Sequence, residues 1–294
     1  MEKRETIIDV FQNIVNKYPQ NKAVVSRDWE CTYEQLNNAA NNLATKIENI
    51  VKDIQKPILV FCDSPKIIST SLFGIFKSRN IYVPVSNKTP LNRIKKIIED
   101  CNIEYYIAEE EHKELNLSFI NPYIEIENNS NFIYNGSKED IAYIIYTSGT
   151  TGNSKGVVSQ HKGLINTILE RNRILNLKQY NNSIILMGLT FDGFFTSFLC
   201  PLVLGAIIYF PNDIFDFSAL DYFFNNFKIY NILCTPTMFR TLLDLKNGFY
   251  LSKLNLVSLA GEPVSKDLIS KSVEKFPTLQ ISNEYGPSEN SICT

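Results

Sequence analysis

Residues 143–158 read Tyr-Ile-Ile-Tyr-Thr-Ser-Gly-Thr-Thr-Gly-Asn-Ser-Lys-Gly-Val-Val. An apolar run from Ile141 to Tyr146 enters a loop of hydroxyl residues and glycines, a lysine follows, and a second apolar run begins. Gly149 and Gly152 let backbone N–H groups turn inward and approach a ligand closely. Thr147, Ser148, Thr150 and Thr151 add hydroxyl donors, and Lys155 adds a positive charge. Donors with one cation suit a polyphosphate, whose oxygens are all acceptors. Gly156 follows Lys155 where a Walker loop has Ser or Thr, so this is a different phosphate loop. The strand-like runs on both sides argue against a surface linker.

Working outward, four more segments occur in order: Thr32-Tyr33-Glu34-Gln35-Leu36, Phe76 to Val85, Phe191-Asp192, and Asn283-Glu284-Tyr285-Gly286-Pro287-Ser288-Glu289. Together with the loop they resemble the core motifs of the adenylate-forming (AMP-binding) superfamily. That superfamily includes acyl-CoA ligases, luciferases and the adenylation domains of nonribosomal peptide synthetases. Order and spacing are similar to the peptide-synthetase branch. Arg79 and Asn80 stand where the family usually has glycine.

Composition narrows the classes independently. The chain has 294 residues, 44% of them hydrophobic, enough for one large core or two small ones. A formal charge of -2 with scattered basic residues argues against nucleic acid as a partner. Six widely spaced cysteines without a CxxC pair read as buried reduced thiols of a cytoplasmic protein. Two histidines exclude a His-rich metal site. Ile7, Val10, Phe11 and Ile14 follow helical spacing with charges between them, unlike a signal peptide. The apolar stretch from Phe198 to Phe210 contains Pro201 and Gly205 and is too short to span a bilayer. The expectation is a soluble protein with no membrane partner.

Strand-like and helix-like segments alternate. Leu36, Ala40, Leu43, Ile47 and Ile50 form one helical stripe, and the run from Ile58 to Cys62 follows. A helix from Pro65 leads to a strand at Ile81–Val85, and Thr89-Pro90 reads as N-cap and first position of the next helix. That helix would turn Leu91, Ile94 and Ile98 inward, ahead of a strand from Tyr105 to Ala108. Residues 109–139 form a weak, Asn-rich connection or insert. Further strands are expected at Ser183–Met187, Ala206–Phe210, Ile229–Cys234 and Leu254–Leu259, with Thr235-Pro236 repeating the cap signal. The alternation predicts an α/β fold with largely parallel sheets and ligands at the strands' carboxyl ends. The resemblance implies two packed sheets with helices on their faces, an incomplete N-terminal AMP-binding core of the family over residues 1–294.

The resemblance also implies roles. Tyr285 would stack on adenine, Asn283 would hydrogen-bond the base, and Gly261-Glu262 would form a wall beside it, with Pro263 opening the next helix. Gly286 and Ser288 complete that nucleotide site, and Glu289 is the implied magnesium ligand, a carboxylate suited to a hard cation. Lys155, Thr147, Ser288 and Glu289 are the implied catalytic groups. His161 matches a position where the family often has histidine; a structural residue at a helix N-terminus is the alternative.

Asp192 matches the acid that pairs with the substrate's α-ammonium in amino-acid-activating members; as a helix N-cap it would also make structural sense. The family's pocket positions fall on Asp192, Gly193, Thr196, Thr237, Ser258, Ala260, Glu284, Ile292 and Cys293. Small Gly193, Ala260 and Ser258 leave volume for a large side chain, and Glu284 adds an acceptor. This set is similar to pockets selecting tyrosine, with ornithine or lysine paired to Glu284 as the second reading.

The expected function is ATP- and Mg2+-dependent activation of an amino acid as its aminoacyl-adenylate. The product would pass to the phosphopantetheine thiol of a carrier protein outside this chain, in nonribosomal peptide synthesis. Alternatives are another adenylate-forming ligase (a D-alanine–carrier protein ligase or an acyl-CoA ligase) or a non-catalytic nucleotide-binding core. Family members continue past the fifth motif with a ribose-binding acid, a hinge and a lid domain carrying a second lysine. The chain therefore reads as either a fragment of a longer synthetase or a truncated product, without the lid and too short for full activity.

Overall fold

The computed structural model describes residues 5–123, 132–147 and 155–286. The chain opens with helix α1 (Ile7–Lys17), strands β1 (Lys22–Val25) and β2 (Glu30–Thr32), and helix α2 (Tyr33–Val51). Strand β3 (Pro57–Phe61), α3 (Pro65–Lys77), β4 (Ile81–Val85), α4 (Leu91–Cys101), β5 (Tyr105–Ala108) and β6 (Ser118–Phe119) follow. Strands β7 (Ile141–Thr147) and β8 (Lys155–Gln160) lead into α5 (His161–Ile174) and β9 (Ser183–Ile185). Next come α6 (Gly193–Leu202), β10 (Ile208–Tyr209), α7 (Phe217–Asn226) and β11 (Asn231–Cys234). The last elements are α8 (Pro236–Asp244), β12 (Leu256–Leu259), α9 (Lys266–Lys275) and β13 (Gln280–Asn283).

Among the described residues the strands form two sheets, ordered β13-β12-β11-β9-β10-β1-β2 and β6-β5-β3-β4-β7-β8. Pairing is parallel except for β1 with β2 and β7 with β8, which are antiparallel. Side chains alternate across each strand, so both faces of each sheet need cover. In β3, Ile58 and Val60 join the core between the sheets, whereas Leu59 faces a separate core with Ile94 and Ile97 of α4. The outer face of the first sheet packs Ile184, Ile232 and Val257 on Phe223 of α7, Phe239 of α8 and Leu268 of α9. Helices α1, α2, α3, α5 and α6 supply the layer between the sheets. The α/β fold with two mostly parallel sheets agrees with the sequence.

Local chemistry explains several boundaries. The first motif is a capping box: Thr32 Oγ1 accepts from the Gln35 N–H at 3.2 Å, and Gln35 Oε1 accepts from the Thr32 N–H at 2.9 Å. Arg79 has φ +58, a left-handed conformation that glycine adopts freely and that arginine holds only at a cost in strain. Its guanidinium Nε donates to Asp140 Oδ2 at 2.9 Å, and its carbonyl accepts from Gln55 N at 2.8 Å, which offsets the strain.

Some expectations need correction. Ile50 is 37% exposed, and Val51 takes the buried place at the end of the α2 stripe. Pro90, not Thr89, is the N-cap of α4, and Ile94 and Ile97 are its buried residues while Leu91 is exposed. The weak segment holds β6, an edge strand of the second sheet; residues 124–131 lie outside the described residues. Among the described residues, no helix is long and apolar enough to cross a membrane.

Candidate active site

Helix α6 fixes one wall of the site. It is mostly apolar and buried on every side, as a helix between two sheets must be. Phe195 stacks on Tyr143 with ring centroids 4.0 Å apart and meets Tyr82 edge-on at 6.0 Å. Asn172 of α5 donates to the Cys200 carbonyl at 2.9 Å. Removing a buried ring such as Phe195 would cost roughly 3–5 kcal/mol, so the position of α6 is strongly specified. Its N-cap, Asp192, accepts from the Gly193 N–H at 2.7 Å.

A cavity of about 400 Å³ opens above α6 at the carboxyl ends of parallel strands. Asp192, Gly193 and Thr196 enter from α6, and Met187 and Leu233 from the ends of β9 and β11. Ala260 to Val264 enter after β12, and Asn283 to Gly286 at and after β13. The structure thus gathers Asp192, Gly193, Thr196, Ala260, Gly261, Glu262, Asn283, Glu284, Tyr285 and Gly286 around one space. Gly261 has φ +84, and a Cβ there would meet nothing nearer than 3.9 Å. The backbone conformation, not crowding, therefore requires glycine. Tyr285 is 79% exposed, leaving an aromatic surface at the cavity mouth.

Other candidates lie elsewhere. Thr237 is not in the cavity lining: its N–H and Oγ1 donate to Glu262 Oε2 at 3.0 and 2.6 Å. Glu262 therefore caps the N-terminus of α8, a favourable place for an anion. Ser258, fully buried in β12, sits behind the cavity and accepts from Arg171 Nη2 at 3.0 Å. Pro263 does not open a helix; Ser265 caps α9, and Pro263 lines the cavity. Thr147 and Lys155 pair across the β7–β8 hairpin, with Lys155 exposed. Ser148, Gly149, Thr150, Thr151, Gly152, Ser288, Glu289, Ile292 and Cys293 lie outside the described residues. His161 is buried at the start of α5, edge-on to Phe76 at 4.7 Å, and burial pushes its pKa down to about 4. That is the structural alternative, away from the cavity.

Two features change what the pocket can do. A Cβ added to Gly193 would stand 2.7 Å from Met187 Cε, so the thioether borders the room that glycine leaves. Glu284 is already paired: Arg171 Nε donates to Oε1 and Oε2 at 3.0 and 2.9 Å, and Nη2 lies 2.9 Å from Oε1. Both side chains are nearly buried, 5% and 12% exposed. Burial opposes the guanidinium charge, yet the Glu284 carboxylate holds the Arg171 pKa above its usual value. Sequence reading missed Arg171, Met187, Leu233 and Val264. Arg171 left one signal: with Leu164, Ile168 and Leu175 it follows helical spacing on the apolar stripe of α5.

Could the site take an adenine nucleotide? An exposed aromatic face at Tyr285, a backbone wall without a side chain at Gly261, and the Asn283 amide form a suitable donor and stacking set.

The "AMP-binding enzyme" family model matches residues 11–294. Gramicidin S synthase 2 of Brevibacillus brevis is 29% identical over 301 residues, covering 99% of this chain and 7% of that protein. Tyrocidine synthase 3 of Brevibacillus parabrevis is likewise 29% identical, over 303 residues, with 99% of this chain and 5% of that protein covered. The chain thus spans less than a tenth of these two curated relatives. Among solved structures, the N-terminal subdomain of Klebsiella oxytoca NpsA matches with a TM-score of 0.88 at 19% identity. That match covers 99% of this chain and 76% of that one. The nonribosomal peptide synthetase FmoA3 matches with a TM-score of 0.89 at 19% identity, over 99% of this chain and 32% of that one. These neighbours share its fold.

Proposed function

The chain belongs to the AMP-binding enzyme family, and from that premise we propose that it activates an amino acid with ATP. The amino acid carboxylate attacks the α-phosphorus, the bond to the bridging oxygen breaks, and pyrophosphate leaves. A carrier-protein thiol then attacks the carboxyl carbon of the aminoacyl-adenylate, forming a thioester as AMP leaves. The observation that carries this reading is Asp192, a carboxylate at the rim of α6 facing the same cavity as Asn283 and Tyr285. An acid there suits the α-ammonium group, because a cation taken out of water needs a partner charge. A fatty acid would have no use for it.

Tyr285, Asn283 and Gly261 would hold the adenine, with Lys155 and Thr147 contributing to the phosphate site. Mg2+ held by Glu289 would supply charge neutralisation on the phosphates. Thr196 Oγ1 is fully buried and, among the described residues, has no hydrogen-bond partner, which favours a side chain with a polar tip. Tyrosine is the substrate this reading favours. Amino-acid-dependent exchange of labelled pyrophosphate into ATP, using protein from the full reading frame, is the test. Robust exchange with fatty acids and none with amino acids would overturn it.

A further inference from the structure

We propose that Arg171 is a specificity-determining residue that keeps the pocket floor electrically neutral, so that the site takes uncharged side chains and refuses cationic ones. This rests on the amino-acid-activating reading above and deepens it. Glu284 lines the 400 Å³ cavity, and an acid in that place would ordinarily recruit lysine or ornithine. Here its charge is spent on a guanidinium that itself lines a neighbouring cavity of about 310 Å³. Glu284 lines both spaces, and the ion pair forms a partition between them. Arg171 is further tied to Ser258 on β12, so α5, β12 and the end of β13 hold it in place.

The consequence for a ligand follows from lone pairs and charge. A carboxylate offers about four acceptor positions, and Arg171 does not exhaust them. A neutral hydroxyl donor can still bond to Glu284. An ammonium group would share the same carboxylate with the guanidinium, placing like charges on one anion after losing its own hydration. The pair therefore admits a phenol and rejects a cation.

The experiment compares exchange rates for tyrosine, ornithine and glutamate in the full-reading-frame protein and three variants. Arg171→Gln frees Glu284, and the ornithine-to-tyrosine ratio should rise at least about tenfold, the scale of a charge-assisted bond. Glu284→Gln leaves the guanidinium behind the partition without its carboxylate, an uncompensated positive charge beside the pocket, and the glutamate-to-tyrosine ratio should rise instead. The double variant Arg171→Gln with Glu284→Gln removes both charges and should keep the original preference. Should Arg171→Gln fail to fold, Glu284→Gln gives the mirror readout. Ratios unchanged in the folded single variants, while the unaltered protein still uses amino acids, would overturn the role of Arg171 alone. No exchange by the unaltered protein with any amino acid would overturn the activation reading, and this proposal with it.

Discussion

Met187 Cε lies 2.7 Å from the point where a Cβ on Gly193 would stand. The glycine therefore does not simply leave space for substrate; it leaves space that a methionine shares. Methionine is unbranched and adapts to irregular gaps, so this boundary can yield to a ligand. Met187→Ala should shift preference toward larger side chains, with tryptophan gaining about tenfold relative to tyrosine in exchange assays. Met187 is buried, so the same change should lower stability by roughly 2–5 kcal/mol in denaturant titration.

Asp192 has two jobs that can be separated. Asp192→Asn keeps an oxygen for the Gly193 N–H and so preserves the cap, but removes the charge. Both Asp192→Asn and Asp192→Ala should weaken amino acid use by tenfold to about a thousandfold while ATP binding changes little. Only Asp192→Ala should also lose stability, by about 1 kcal/mol. Asn behaving like the unaltered protein in kcat/KM would reduce Asp192 to its capping role.

The acid side of the stability curve should carry a signature of His161. Its pKa in the folded chain is about 4, below the ordinary value of 6.5, so the unfolded chain binds the extra proton first. Stability is then complete above about pH 6.5 and falls as pH drops toward 4, by about 3 kcal/mol over that window. His161→Phe should flatten this slope. An unchanged slope, measured by denaturant titration at several pH values, would assign it to other groups.

The sequence was most informative where structure is local. Thr235 with Pro236 marks a helix start because capping bonds reach only three residues. The two apolar runs around the hydroxyl-rich loop pair as β7 and β8, and Phe191, Asp192 and Asn283 to Gly286 come together around one cavity. What escaped depends on contacts distant in the chain. Nothing near Arg171 announces Glu284, which is 113 residues away. Thr237 and Ser258 occupy the right strand and helix ends but face Glu262 and Arg171 rather than the cavity. One position along an element decides such a facing.

Side-chain selection gives a further prediction. Thr196 Oγ1 and the remaining acceptor positions of Glu284 both favour a hydroxyl-bearing ring. Tyrosine should lead phenylalanine by a wide margin in kcat/KM, up to about 10⁴-fold if the hydroxyl is fully read. Thr196→Val should narrow that margin with little change for phenylalanine. Equal use of the two by the unaltered protein would show that neither group reads the hydroxyl.

If Asp192 meets an α-ammonium group, the substrate must be an amino acid rather than a simple carboxylic acid. Exchange of labelled pyrophosphate into ATP with tyrosine and with 3-(4-hydroxyphenyl)propanoate, its analogue without the amino group, tests this most directly. The two acids share the carboxylate and the phenol, so the comparison isolates one charge. Tyrosine should support exchange, and the analogue should fall at least about tenfold behind in kcat/KM. Equal rates for the two would contradict that role of Asp192.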